Sequence, residues 1–123
     1  MMKRSVLAVL LICGLSAPSF AGDVEIVGTE ARKAGDGSYS FTVTLKHGDT
    51  GWKHYAYRWD VLGPDGAVLG ERVLHHPHVN EQPFTRGLSG VKVPAGLNSV
   101  RIRAHDKIHG NADKTFKVML PGR

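Results

Sequence analysis

Alternation of apolar and polar side chains is the dominant pattern of this chain. Every second residue is apolar between Tyr39 and Lys46, and the same period of two returns between Val100 and His105. A period of two matches a strand with one buried face and one solvated face. No window of useful length carries apolar residues at helical spacing. The pattern therefore predicts an all-β chain.

Turn-forming residues divide the chain into about seven predicted strands. Glycine, proline and asparagine mark tight turns at 34–37, 63–66 and 94–98, and a long connection covers 75–87. Short strands with regular turns predict a β-sandwich of the immunoglobulin-like, Greek-key type, with Trp59 buried between the sheets. The predicted strands lie at 23–32, 39–46, 55–61, 67–74, 88–93, 100–105 and 115–120.

The beginning of the chain has the composition of a cleavable export signal. A short basic stretch precedes an apolar run at 6–12, and small residues occupy positions −3 and −1 of a cut after Ala21. The apolar run is far shorter than the roughly 20 residues that a membrane-spanning helix needs. We therefore predict a signal peptide at 1–21, a single domain at 22–123, and a periplasmic or secreted location.

The one cysteine of the chain, Cys13, lies within this export signal. A single cysteine excludes an intramolecular disulfide, a cysteine-based zinc finger and an iron–sulfur cluster. The run Leu10-Leu11-Ile12-Cys13 loosely resembles a lipobox, but the residue before a lipidated cysteine is normally small, unlike Ile12. We therefore expect cleavage instead of lipidation, and no membrane contact after cleavage.

Charge and motif content narrow the classes of function. The chain has 16 Lys+Arg against 11 Asp+Glu, a formal net charge of +5, and loss of Lys3 and Arg4 with the signal lowers it to +3. A small net charge with interspersed signs is typical of a soluble surface and does not indicate a nucleic-acid partner. No nucleophile elbow or phosphate-binding glycine loop is present. The sequence therefore favours a binding protein over an enzyme.

Seven histidines are the most unusual feature of the composition. If successive strands alternate in direction, every histidine falls at one end of the sandwich, while the turns at 34–37, 63–66 and 94–98 fall at the other end. We call the first end the histidine pole. Its members are His47, His54, His75, His76, His78, His105 and His109.

Imidazole side chains suit divalent transition metals, so the histidine pole predicts a metal site. Pro77 favours extended backbone between His76 and His78, which turns both rings to one side. Because the mature chain has no thiolate, the expected ion is Cu(II), Zn(II) or Ni(II). His47 and His54 flank a polar turn and are expected to be bystanders. The predicted ligands are His75, His76, His78, His105 and His109.

Three carboxylates of the same region, Asp49, Glu81 and Asp106, can act as further ligands or as acceptors for ring N–H groups. The pattern thus predicts a periplasmic carrier, buffer or sensor of a metal ion. Two alternatives remain open. One is a metal-free interaction module that binds a periplasmic protein through the 75–87 loop and Trp52. The other is a non-haem metalloenzyme, although such sites on immunoglobulin-like folds also use a cysteine ligand.

Two stretches resemble known bacterial proteins. The run 57–61 followed by Pro64-Asp65-Gly66 is similar to the third strand and hairpin of bacterial immunoglobulin-like modules. The string His76-Pro77-His78-Val79-Asn80-Glu81-Gln82-Pro83-Phe84-Thr85-Arg86 resembles the signature of a family of small exported bacterial proteins of unassigned activity. This resemblance implies export and carries over no catalytic residue. Within the string we expect a buried Phe84 and an Arg86 paired with Glu81 or a backbone carbonyl.

Overall fold

The computed structural model describes residues 24–123, which contain strands and turns but no helix. The all-β prediction is confirmed, whereas the predicted signal peptide falls outside the described residues. Within the described range there is no helix with the length and apolar character needed to cross a membrane. The strands are β1 (Glu25–Lys33), β2 (Tyr39–Lys46), β3 (Ala56–Leu62), β4 (Val68–Val73), β5 (Phe84–Val91), β6 (Ser99–Asp106), β7 (Gly110–Asn111) and β8 (Phe116–Met119).

The strands form two antiparallel sheets. The first sheet has the order β1-β2-β5, and the second has the order β4-β3-β6. Beyond β6, the short β7 pairs with His105 and Asp106, while β8 pairs with the Ser99 end of the same strand. The two sheets contribute to one buried core, which is the arrangement of a β-sandwich. The immunoglobulin-like, Greek-key connectivity stays a prediction.

The core confirms the alternation that the sequence predicts for β2. The inward side chains of this strand are at most 1% exposed, and Trp59 of β3 is fully buried opposite them. Ile102 of β6 joins the same cluster. Burial of these large side chains is the main favourable contribution to folding. The inward residues of β2 are Tyr39, Phe41, Val43 and Leu45.

Strand β3 departs from simple alternation. Its pairing with β6 shifts register between Ala56 and Arg58, which marks a β-bulge. Ala56 therefore belongs to the core cluster together with Trp59, whereas the ring of Tyr57 lies 4.6 Å from the ammonium group of Lys107 outside the core. Strict alternation along the predicted strand at 55–61 would place Tyr57 and Trp59 on one face, and this expectation is wrong because the bulge breaks the alternation.

Two further boundaries differ from the sequence-based expectation. Strand β5 begins at Phe84, so the connection after β4 ends at residue 83 and not at 87. Glycines at positions 87 and 90 interrupt the apolar alternation of β5, which hid its first half. Strand β7 has two residues, too few for any periodicity to show.

Strand register brings the loops of the histidine pole together. In the first sheet Leu45 near the end of β2 pairs with Phe84 at the start of β5. In the second sheet Ala56 at the start of β3 pairs with Asp106 at the end of β6. The loops beyond these four positions therefore leave the sandwich at the same end, and they carry the candidate site.

The two valines of the β3–β4 hairpin provide a matched test of the core. Val61 is fully buried and Val68 is 53% exposed. We expect Val61→Ala to lower the free energy of unfolding by about 2 kcal/mol, because it loses buried methyl groups and leaves a cavity. Val68→Ala should change it by less than about 0.5 kcal/mol. Urea denaturation measures both values, and equal losses would contradict the described packing.

Candidate metal centre

A buried carboxylate, that of Asp106, lies at the centre of the histidine pole. Asp106 is the last residue of β6 and is 1% exposed. Its Oδ1 accepts hydrogen bonds from the backbone N–H of Ile108 at 2.8 Å and of His109 at 2.5 Å. Burial acts to raise the pKa of Asp106, but the hydrogen bonds from His109 and Ile108 outweigh it, so this pKa is lowered from its ordinary value. The carboxylate is therefore ionised at neutral pH.

Three imidazole nitrogens surround the other carboxylate oxygen, Oδ2. Nδ1 of His109 lies 3.0 Å from it, Nε2 of His47 lies at 3.3 Å, and Nε2 of His54 lies at 3.5 Å. The three histidines come from three different positions in the chain: the end of β2, the approach to β3, and the loop after β6. The side chain of His47 is fully buried, whereas that of His109 is 46% exposed. Access to the cluster is therefore from the His109 side.

The distances within this cluster fit a metal centre. One donor atom from each of His47, His54 and Asp106 lies within 4.8 Å of the other two. In a tetrahedral zinc site, with bonds of about 2.0–2.1 Å, neighbouring ligand atoms are about 3.3 Å apart. The separations of 3.3 and 3.5 Å between Asp106 Oδ2 and the two imidazole nitrogens already have this length. A shift of one imidazole ring completes the triangle.

The environment of the His54 ring also fits a metal ligand. Its Nε2 is buried and lies 3.5 Å from Oδ2 of Asp106, but it forms no hydrogen bond with the described residues. A buried polar atom without a partner costs free energy, and a bound ion would remove that cost. The donor set of imidazole and carboxylate suits Zn(II), Cu(II) and Ni(II).

Asp49 orients the buried histidine of this cluster. Its Oδ1 lies 2.5 Å from Nδ1 of His47 and accepts a hydrogen bond from the backbone N–H of Ala56 at 3.0 Å. A carboxylate on one ring nitrogen fixes the tautomer and leaves the other nitrogen available to a metal. Asp49 thus directs Nε2 of His47 toward Asp106.

The same residue attaches the neighbouring loop to the site. Oδ2 of Asp49 accepts a hydrogen bond from the backbone N–H of His78 at 2.7 Å. Gln82 adds two more bonds, since its Oε1 accepts from the backbone N–H of His47 and its Nε2 donates to the carbonyl of His78, both at 2.9 Å. The loop between β4 and β5 is therefore held against the residues that form the cluster.

His78, a predicted ligand, has other neighbours in the structure. It is buried and stacks on Phe84 with ring centroids 3.9 Å apart. Its Nε2 lies 3.0 Å from the guanidinium of Arg86, so this nitrogen accepts a hydrogen bond from a cation. Burial lowers the pKa of His78, and the positive charges of Arg86 and His76 lower it further. The ring is therefore neutral at pH 7, and its contacts with Phe84 and Arg86 support the loop between β4 and β5.

The other predicted ligands are distributed around the pole. His75 is exposed, and the exposed His76 lies with its ring centroid 4.6 Å from that of His78. Nδ1 of His105 lies 3.0 Å from the side-chain oxygen of Asn111. Of the five predicted ligands, His109 is the one that the described structure brings against Asp106.

Two expectations about the 76–86 string are confirmed. Phe84 is 2% exposed, and its burial places the start of β5 against the core. Arg86 lies 3.3 Å from a carboxylate oxygen of Glu81 and donates a hydrogen bond to the carbonyl of Thr85 at 2.7 Å. Trp52, which the interaction-module alternative includes, is 64% exposed.

The two histidines at the centre of the cluster are not among the predicted ligands. His47 and His54 were expected to be bystanders because they flank a polar turn, yet both of their rings face Asp106. A signal for them was present in the chain. His47 and Asp49 are two residues apart, and Asp106 and His109 are three apart, and such short-range histidine–carboxylate pairs are typical of ligands with their orienting partners.

Comparison with known proteins finds a relative in Halomicrobium mukohataei that is described as a putative lipoprotein. It is 39% identical to this chain over 96 residues, which cover 78% of this chain and 47% of the relative. The chain thus spans about half the length of that relative. No family model matches the chain. No solved structure matches it significantly.

The environment of His78 predicts a pH dependence. NMR titration of its ring should give a midpoint below the ordinary 6.5, chiefly because the ring is buried. The unfolded chain then binds this proton more tightly than the folded chain does. The contribution of the neutral His78 to the free energy of unfolding is therefore fully present above pH 6.5, and it is lost as the pH falls toward the folded midpoint. Arg86→Met should move the midpoint upward, whereas Arg101→Met, at an exposed position on β6, should not. A midpoint at or above 6.5 would contradict the described burial.

Proposed function

We propose that this protein binds a divalent transition metal ion through His47, His54 and Asp106, with His109 as a fourth ligand. The observation that carries the proposal is the convergence of three imidazole nitrogens on one buried carboxylate oxygen, at 3.0 to 3.5 Å. This ligand set replaces most of the one that the sequence predicted, and it keeps the same pole and the same class of ion.

The charge of the cluster supports a bound cation. The carboxylates of Asp49 and Asp106 are at most 1% exposed, and their ion-pair partners among residues 24–123 are histidines. Burying carboxylates without a lysine or arginine beside them is costly unless protons or a cation compensate. A divalent ion supplies a charge of +2 at the point where the ligand atoms meet.

The ligand set favours binding over catalysis. Four protein ligands close a tetrahedral site, whereas catalytic zinc sites keep one position open for water or substrate. His109 is the exposed member, so an ion can enter and leave by movement of the loop that carries it. We therefore propose a carrier, buffer or sensor of Zn(II), Cu(II) or Ni(II).

We further propose that the protein works outside the cytoplasm, in the periplasm or as a secreted protein. The basic and apolar pattern of residues 1–21 supports export. The description of the Halomicrobium relative as a putative lipoprotein agrees with it, since lipoproteins are exported. The resemblance of the 76–86 string to small exported bacterial proteins points the same way.

Metal titration of the purified chain tests the proposal. Calorimetry with Zn(II), Cu(II) and Ni(II) should show one site with a dissociation constant below about 10 µM for at least one ion. Asp106→Asn or His54→Ala should weaken that site about 100-fold or more, because each removes a direct ligand. His75→Ala is the matched control, an exposed histidine of the same pole outside the cluster, and should leave the affinity unchanged.

Other results would refute this assignment. If no ion binds below this limit, the cluster is a hydrogen-bonded support for the loops and the metal function is wrong. If His75→Ala weakens binding as much as His54→Ala, the ion is held elsewhere on the pole. Circular dichroism of each variant separates loss of a ligand from loss of the fold.

The position of Asp49 predicts a smaller effect from a more distant change. Asp49→Asn keeps the size of the side chain but weakens its hold on Nδ1 of His47, and it should reduce metal affinity about 10- to 100-fold. Asp65→Asn, in the exposed turn at the opposite end, should have no effect. Competition with a chelating dye measures both variants. Unchanged affinity in Asp49→Asn would show that His47 needs no orienting partner.

A further inference from the structure

Exposed apolar side chains surround the histidine pole. Trp52 is 64% exposed, Ile108 is 61% exposed and Val79 is 52% exposed. They belong to three different loops, and each lies within two residues of a histidine of the pole. Single exposed apolar residues are common, but several at one end of a small domain indicate a contact surface.

Trp52 and Ile108 lie on neighbouring loops. The ring of Trp52 meets that of Tyr55 edge to face, with centroids 5.8 Å apart. The backbone carbonyl of Tyr55 in turn accepts a hydrogen bond from the N–H of Lys107 at 3.1 Å. Tyr55, which contacts both loops, is itself held in place, since it is 5% exposed and packs edge to face on Tyr57. The structure therefore presents both apolar side chains to solvent from a rigid support.

Positive charge flanks both side chains. Lys53 follows Trp52 directly, and Lys107 precedes Ile108, and both lysines are exposed. Neither lysine forms an ion pair with an acidic group in the described part of the chain. The segments 50–54 and 107–110 contain no aspartate or glutamate. An exposed apolar side chain beside a lysine without an acidic partner in the described residues thus occurs on two neighbouring loops, and the ammonium group of Lys107 also lies 4.6 Å from the ring of Tyr57.

We propose that this face docks on an anionic lipid surface, which replaces the expectation from the sequence that the cleaved chain makes no membrane contact. Tryptophan prefers the interface between lipid and water, and each lysine near an anionic surface adds attraction. Loop tips that carry one apolar side chain each can enter a lipid interface, whereas a stable protein interface needs about 800 Å² from each partner. A second copy of the chain would bring lysine against lysine. This proposal rests on side chains outside the metal ligands and stands apart from the metal function.

Tryptophan fluorescence gives a direct test with the full chain. Trp59 is fully buried, so changes on adding vesicles report Trp52. Vesicles of phosphatidylcholine with phosphatidylglycerol should shift the emission to shorter wavelength and protect it from acrylamide. Pure phosphatidylcholine should bind more weakly by about fivefold for each lysine that contacts the surface.

Matched variants separate this face from the rest of the chain. Co-sedimentation with vesicles measures these variants, because Trp52→Ala removes the fluorescent reporter. Trp52→Ala should weaken vesicle binding about tenfold or more, and Lys53→Gln and Lys107→Gln about fivefold each. Val68→Ser and Lys92→Gln, at exposed positions near the opposite end, should bind as the unaltered chain does. Every variant and control protein carries the same residues 1–23, so any lipid affinity of that segment is common to all of them and does not affect the ratio of their affinities.

Three results would overturn the proposal. The first is the absence of a fluorescence shift on anionic vesicles, and the second is equal binding to neutral and anionic vesicles. The third is an equal loss of vesicle affinity in the variants of Trp52, Lys53 and Lys107 and in their controls. Capture of a protein partner by this face, together with any of these results, would assign it to protein recognition instead.

Discussion

Burial of two carboxylates at the point where the loops of both sheets meet is the constraint on which the histidine pole depends. Asp49 and Asp106 have side chains at most 1% exposed, and each must find compensation inside the protein. Backbone N–H groups supply part of it, from Ala56 and His78 to Asp49 and from Ile108 and His109 to Asp106. Histidine nitrogens, and in our proposal a metal ion, supply the rest.

These two carboxylates also determine how the loops are joined. Asp49 connects the segment after β2 to the start of β3 and to the loop after β4, while Asp106 closes the loop after β6. The β-sandwich beneath supplies rigid strand ends, because register holds Ala56 opposite Asp106 and Leu45 opposite Phe84. The scaffold thus places side chains from distant parts of the sequence within hydrogen-bond distance.

The fold was more predictable from the sequence than the site. Alternation in β2 identifies its buried face directly, since an apolar side chain at every second position has one physical explanation. Bulges and two-residue strands leave no such signal, so the orientation of Tyr57 and the presence of β7 do not follow from the alternation. The end of the molecule where the metal is proposed followed from connectivity, but the ligands depend on ring orientation and loop packing. His78 shows the difference, because its bond to Arg86 could not be inferred from the His76-Pro77-His78 spacing.

In our proposal a metal ion lies between His47, His54 and Asp106, and its position can be measured directly. A crystal grown with the metal that binds in solution, measured at the absorption edge of that metal, locates the ion by its anomalous scattering. We expect one strong peak about 2.0–2.2 Å from Nε2 of His47, Nε2 of His54 and an oxygen of Asp106. A peak at His75 or His76 instead, or no peak at the cluster in a crystal soaked well above the dissociation constant, would contradict it.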